Sequence, residues 1–232
     1  MALCLIADIA GRRDQVNAAL AGLAILVIGD SHMFNLMSPL HSQLEDAGAT
    51  VNTYAMCGAT AQDWLSKATL ACGRGERHGK GPPMIDFKSL LPTYVLSDLI
   101  AQNHPNLIVV ELGDVMEGYS SGPPDKAWIQ QQVRSLTGKI AADHISCVWV
   151  GPTWGQDKPP YNKTESGVRS IAALLSQSVA PCAYIDSTAF AHPGEWPTKD
   201  GSHLMPDGYR KWSQDIVDAI ERLKSQGTLA AR

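Results

Sequence analysis

The stretch "ILVIGDSHM", Ile25 to Met33, decides the fold. Its first four residues are apolar and mostly β-branched, a continuous run of strand length that suits a strand buried on both faces of a parallel sheet. Gly29 ends the run, Asp30, Ser31 and His32 make a short polar turn, and from Met33 the apolar residues recur at helical spacing. Strand, turn and helix start are the first half of a βαβ unit.

The same alternation continues outward. Strands are predicted near 24–28, 49–54, 107–112, 145–150 and 183–186, with helices near 33–47, 60–70, 91–102, 125–142, 165–179 and 206–224. Gly48 suits a left-handed close of the first of these helices, and Pro124 with Asp125 suits the start of the fourth. The expected architecture is a three-layer α/β/α sandwich around a five-stranded parallel sheet. The chain has 232 residues, no repeat of 20–50 residues and no low-complexity linker. One domain over 23–232 is therefore expected, behind an N-terminal extension, 1–22, with 12–21 helical.

Composition narrows the class. With 44% hydrophobic and 18% charged residues and a net charge of −4, the chain reads as globular, with no signature of nucleic-acid binding. No apolar run approaches the about 20 residues that a membrane span needs. The apolar start "MALCLIADIA" is interrupted by Asp8, and Arg12 and Arg13 follow it instead of preceding it, so it is not read as a complete signal peptide. Five cysteines (Cys4, Cys57, Cys72, Cys147, Cys182) form no C-x-x-C pair. A bridge between Cys57 and Cys72 is open on spacing alone. The seven histidines show no H-x-x-x-H helix pattern, and no glycine-rich phosphate loop is present, so neither metal nor cofactor is expected. The basic, glycine-rich segment "CGRGERHGKGPP" (72–83) reads as a solvated loop.

In open parallel sheets, ligands bind beyond the carboxyl ends of the strands. Ser31 stands there, ahead of a helix N-terminus that favours developing negative charge. By itself "GDS" is ordinary turn chemistry. A serine nucleophile needs a base with an orienting carboxylate, and "DGSH" (200–203), just before the last predicted helix, offers Asp200 and His203.

Together "GDS" at 29–31, "DGSH" at 200–203 and the glycine of "YAMCGAT" at Gly58 resemble the SGNH (GDSL) hydrolase family, over about residues 24–224. The resemblance implies a flavodoxin-like sheet, Ser31 as nucleophile, His203 as base, Asp200 as its partner, and the Ser31 and Gly58 N–H groups as an oxyanion hole. It also implies an acylated carbohydrate or other small ester as substrate, no cofactor, and a periplasmic or secreted location, close to the branch that deacetylates polysaccharide or peptidoglycan. The same triad serves an O-acyltransferase when a sugar hydroxyl replaces water. One block departs from the pattern: "ELGDVM" places Val115 where the family carries an oxyanion-hole asparagine, and valine donates no hydrogen bond. His32, Asn35 or Thr60 are the available substitutes; without one, a weak or purely glycan-binding relative follows. His32, Trp154 and Trp196 are expected around the substrate, the indoles as stacking faces for a sugar ring.

Overall fold

The computed structural model describes residues 19–117 and 125–229. Cys4, Pro124 and most of the helix expected at 12–21 lie outside them. Strand β1 (Ala24–Gly29) sits at the centre of the sheet, parallel to β2 (Thr50–Met56) on one side and β7 (Leu107–Glu111) on the other. Strands β8 (Ser146–Val150) and β9 (Ala183–Ile185) complete a parallel set in the order β2-β1-β7-β8-β9. Alternate side chains of β1 feed two cores. Ile25 and Val27 pack under α1 (Met33–Asp46) and α5 (Pro206–Ser225), against Leu36, Leu40, Trp212 and Ile216. Leu26 and Ile28 face α2 (Leu96–Asn103), α3 (Lys126–Ala142) and α4 (Glu165–Ser176), against Leu96, Ile129, Val133 and Leu175. Fully burying each such side chain contributes about 1.5–3 kcal/mol. This is why every β1 position from Ile25 to Ile28 is apolar.

Two expectations about the sheet are corrected. It has seven strands, not five, because the segment read as a solvated loop is itself a strand: β4 (Arg74–His78) pairs antiparallel with β2 and with the edge strand β5 (Met84–Asp86). Its sequence, RGERH, carries no apolar alternation; backbone pairing and the Cys57–Cys72 disulfide hold it to β2. The helix expected at 60–70 is one 3₁₀ turn, Ala61–Trp64, after which β3 (Thr69–Leu70) pairs with β6 (Leu91–Pro92). The Asp63 carboxylate accepts from both the Thr60 N–H and its hydroxyl, which favours a local turn over helix continuation. The helix expected from 91 starts at Leu96, beyond the strand that contains Pro92.

Asp125 caps α3 by accepting from the Ala127 and Trp128 amides, and Gly48 takes a positive φ of 98° after α1. A second disulfide, Cys147–Cys182, joins β8 to the approach to β9. Leu20, assigned by sequence to the extension, is fully buried, and residues 19–22 form turns in place of the expected helix. Among the described residues no helix is long and apolar enough to cross a membrane.

Candidate active site

The carboxyl ends of the parallel strands gather the residues that the sequence marks. Ser31 lies in the turn between β1 and α1, and its Oγ is 2.9 Å from Nε2 of His203. His203 Nδ1 is 2.8 Å from Asp200 Oδ2. The Asp200 Oδ1 accepts from the His203 and Ser202 amides at 2.8 and 3.1 Å, so a four-residue turn orients carboxylate and imidazole together. Partial burial pushes the Asp200 carboxyl up, but the His203 amide and ring outweigh it and hold it below the usual carboxylate range. Ser31, His203 and Asp200 thus stand in the order a serine–histidine–aspartate relay requires.

Gly58 follows β2, the strand beside β1, with a φ of +71° that a side chain would strain. A Cβ there would lie 3.8 Å from Cys72 Sγ, so the first disulfide runs directly behind this turn. Among the described residues neither the Ser31 nor the Gly58 amide is engaged in a hydrogen bond.

The three residues expected around the substrate are all buried. Trp154 donates its Nε1 proton to the Thr188 and Ala191 carbonyls, and the Arg169 guanidinium lies over its ring. Trp196 belongs to the core beneath α5. Neither indole offers an open face, because each ring's apolar area is better buried against the fold than left in water. His32 is fully buried, stacked under the ring of His203 at 4.8 Å. Its Nδ1 is 3.0 Å from the Tyr209 hydroxyl and its Nε2 abuts Asp114 Oδ2. Burial pushes the His32 ring below its ordinary value although Asp114 pulls it up. A neutral imidazole with its proton on Nε2, accepting at Nδ1 from Tyr209, fits these contacts.

His32 is one corner of a buried network that sequence reasoning misses. Lys163, fully buried, places Nζ 2.6 Å from both oxygens of Asp114, and Ser202 donates its hydroxyl proton to Asp114 Oδ2 at 2.9 Å. Burial works to raise the Asp114 carboxyl, but His32 and Lys163 hold it far below its usual range. The ionised carboxylate ties the turn after β7 to the turn bearing His203. Next to it lie two further buried carboxyls, Asp30 and Glu111. Asp30 Oδ1 accepts from the His32 amide, while Asp30 Oδ2 and both Glu111 oxygens have no hydrogen-bond partner among the described residues. Burial, reinforced by Asp114, pushes Asp30 up to about 8. Burial, reinforced by Asp30, carries Glu111 well above the ordinary range.

Val115 opens a 3₁₀ turn directly after Asp114. Two of the three substitutes for the missing asparagine are committed elsewhere: His32 to Asp114 and Tyr209, and the Thr60 hydroxyl to Asp63; Asn35 is exposed in the first turn of α1. The Tyr161 ring meets the His203 ring edge to face, centroids 5.4 Å apart. Only the resemblance-bearing blocks could have flagged the site; nothing local to Lys163 or Tyr161 distinguishes them from loop residues. Among the described residues no group of three or more His, Cys, Asp or Glu side chains is arranged to hold a metal ion.

Parallel strand order, the three sequence blocks and their convergence define the class: the fold is that of the SGNH (GDSL) hydrolases. It is shared with a lipase/acylhydrolase from Enterococcus faecalis (TM-score 0.58, 13% identity, covering 86% of this chain and 96% of that one). It is also shared with a catalytic mutant of an acetylxylan esterase from Geobacillus stearothermophilus (TM-score 0.55, 14% identity, 86% and 94%). By sequence the chain belongs to the family of protein BcsX of Komagataeibacter xylinus, 42% identical over 219 residues, covering 90% of this chain and 82% of that protein. No protein-family model matches the chain.

Proposed function

We propose that the protein is a serine esterase that removes a short acyl group, most simply acetyl, from a carbohydrate ester. The observation that carries this is the relay of 2.9 and 2.8 Å from Ser31 through His203 to Asp200. In this reading Ser31 Oγ attacks the ester carbonyl carbon and His203 Nε2 takes its proton. Asp200 holds the imidazole tautomer and the transient imidazolium. The carbonyl oxygen gains the negative charge of the tetrahedral intermediate, which the Ser31 and Gly58 N–H groups stabilise. His203 returns the proton to the departing sugar oxygen, and water, activated by the same histidine, releases the acyl group. The shared fold with an acetylxylan esterase supports a polysaccharide ester as the substrate class.

Residues 23–232 act as one catalytic unit with Leu20 packed into it. Two disulfides favour an oxidising compartment outside the cytoplasm, since such bonds rarely persist among cytosolic thiols. The test is hydrolysis of p-nitrophenyl acetate together with labelling by a fluorophosphonate. Ser31→Ala and His203→Ala are expected to bring turnover to background, and Ser31→Ala to abolish labelling. Unchanged turnover in either variant sinks the triad, and glycan binding without labelling of the wild type identifies a non-catalytic relative.

A further inference from the structure

Large exposed apolar side chains are concentrated in one place. Of the six among the described residues, Met84, Ile85, Phe87 and Leu90 fall within seven consecutive positions; Trp128 and Met205 lie elsewhere. Phe87 is 69% exposed, its ring tilted against that of Phe34 with centroids 5.4 Å apart. Phe34 belongs to the first turn of α1, three residues after Ser31, which lies in the turn before that helix, and Arg74 pairs with both Met56 at the carboxyl end of β2 and Asp86, so Phe87 stands at the same edge of the sheet as Ser31. Gly75 makes room for this stack: a Cβ there would meet both Phe34 and Ile85.

The loop is held beside the site by its backbone. Gly73, with a φ of +106°, comes so close that a Cβ would sit 2.5 Å from the Asp86 carbonyl oxygen and 2.8 Å from the Phe87 Cα. Gly73 follows Cys72, whose sulfur lies behind Gly58. Phe87 is therefore fixed, through one glycine contact and one disulfide, to the turn that presents the second amide of the candidate oxyanion hole. Leu90 takes a φ of +64° while 78% exposed, a strained backbone for a leucine that gains no burial in return. Folding alone explains neither exposure.

We propose that Phe87 is the platform of a sugar-binding subsite adjoining Ser31, on which one ring of an acylated glycan stacks. The inference rests on the esterase reading and adds to it where the glycan lies. A pyranose offers a C–H-rich face and a rim of hydroxyls. The open aromatic ring covers the first. The second is offered Asp86 and Lys88, the chain neighbours of Phe87, whose charged groups pair at 3.4 Å and stand in solvent. A long acyl chain needs a concave apolar enclosure instead. Trp154 and Trp196, expected to do this work, are buried, whereas Phe87 is exposed and packs on Phe34 in the first turn of the helix that follows Ser31.

The test compares wild type, Phe87→Ala and Phe87→Trp on O-acetylated xylotetraose and on vinyl acetate, which has no ring to stack. Phe87→Ala is expected to raise KM for the tetraose about 10-fold, equivalent to about 1.4 kcal/mol, with kcat and vinyl acetate turnover unchanged and with Phe87→Trp restoring the wild-type KM. Equal KM values for wild type and Phe87→Ala overturn the platform, as does an equal loss on both substrates, which marks a folding role. A wild-type dimer that Phe87→Ala dissociates in sedimentation also overturns it, assigning the β5 edge to a second copy. If the wild type hydrolyses neither ester, the esterase reading fails separately. Calorimetry with unacetylated xylotetraose then still decides the platform: binding lost in Phe87→Ala upholds it, and equal or absent binding refutes it.

Discussion

Lys163→Met removes the cation from a pair that is wholly out of water. In the wild type the Lys163 ammonium sits 2.6 Å from both Asp114 oxygens, with the carboxylate 1% exposed. The variant leaves that carboxylate with the Ser202 hydroxyl and the His32 ring alone. Removing one partner of a buried ion pair costs about 3–5 kcal/mol, because the remaining charge has lost its compensation while staying desolvated. Against the about 5–15 kcal/mol that a domain typically has, this is a large share. With a urea m-value of about 2–3 kcal/mol/M, the unfolding midpoint drops by about 1–2 M. Asp114→Asn in the same background relieves the stranded charge, so the double variant is expected to be destabilised by at least about 2 kcal/mol less than the sum of the single changes. Urea unfolding of the four proteins, followed by tryptophan fluorescence, closes the cycle. A Lys163→Met loss below about 1 kcal/mol, or strict additivity, refutes the picture of a charge pair that holds the turn after β7 to the turn of His203.

Two more expectations use the same neighbourhood. Because His32 and Thr60 are engaged elsewhere, Val115→Asn is expected to raise kcat on p-nitrophenyl acetate about 10-fold with KM little changed, somewhat less than the about 10²–10³ usually lost with one oxyanion donor; an unchanged or lower kcat shows that position 115 does not face the oxyanion or that another donor, such as Asn35, already fills the role. Asp30, at about 8 when folded and about 3.9 when unfolded, contributes stability fully below about pH 4 and loses it as pH rises through 8, since over that window the unfolded chain gives up a proton that the folded one keeps. Asp30→Asn keeps an acceptor for the His32 amide and cannot ionise, so its Tm relative to wild type is expected to rise between pH 5 and pH 8; parallel curves refute the burial of a protonated Asp30.

The parallel sheet was legible in the sequence because its cause is local and periodic. A strand covered on both faces must be apolar at every position, and Ile25 to Ile28, Leu107 to Val110 and Cys147 to Val150 obey that rule. The antiparallel β4 was not legible, since an RGERH strand is held by main-chain pairing and a covalent bridge, neither of which leaves an apolar pattern. The same division runs through the site. Ser31, Asp200 and His203 could be named because each belongs to a short block with its own turn chemistry. Their convergence, across 172 positions for Ser31 and His203, is a product of strand order.

What lies beneath them was decided by the tertiary structure alone. Lys163 and Asp114 are 49 positions apart, and their side chains meet only because the loop after β8 folds back over the turn after β7. Which aromatic rings are buried follows the same logic. Trp154 and Trp196 looked like sugar platforms by position and are buried; Phe87, just beyond the charged segment 72–83 and marked by no motif, stands open against Phe34 in the helix that follows Ser31. Sequence by itself determined the parallel strands, the covering of the sheet and the three candidate residues Ser31, Asp200 and His203, because periodicity and turn chemistry act over a few residues. Burial, the ionisation of Asp30, Glu111 and Asp114, and the access of a substrate to Ser31 depend on what is packed within a few ångströms regardless of chain position, and only the folded chain settles that.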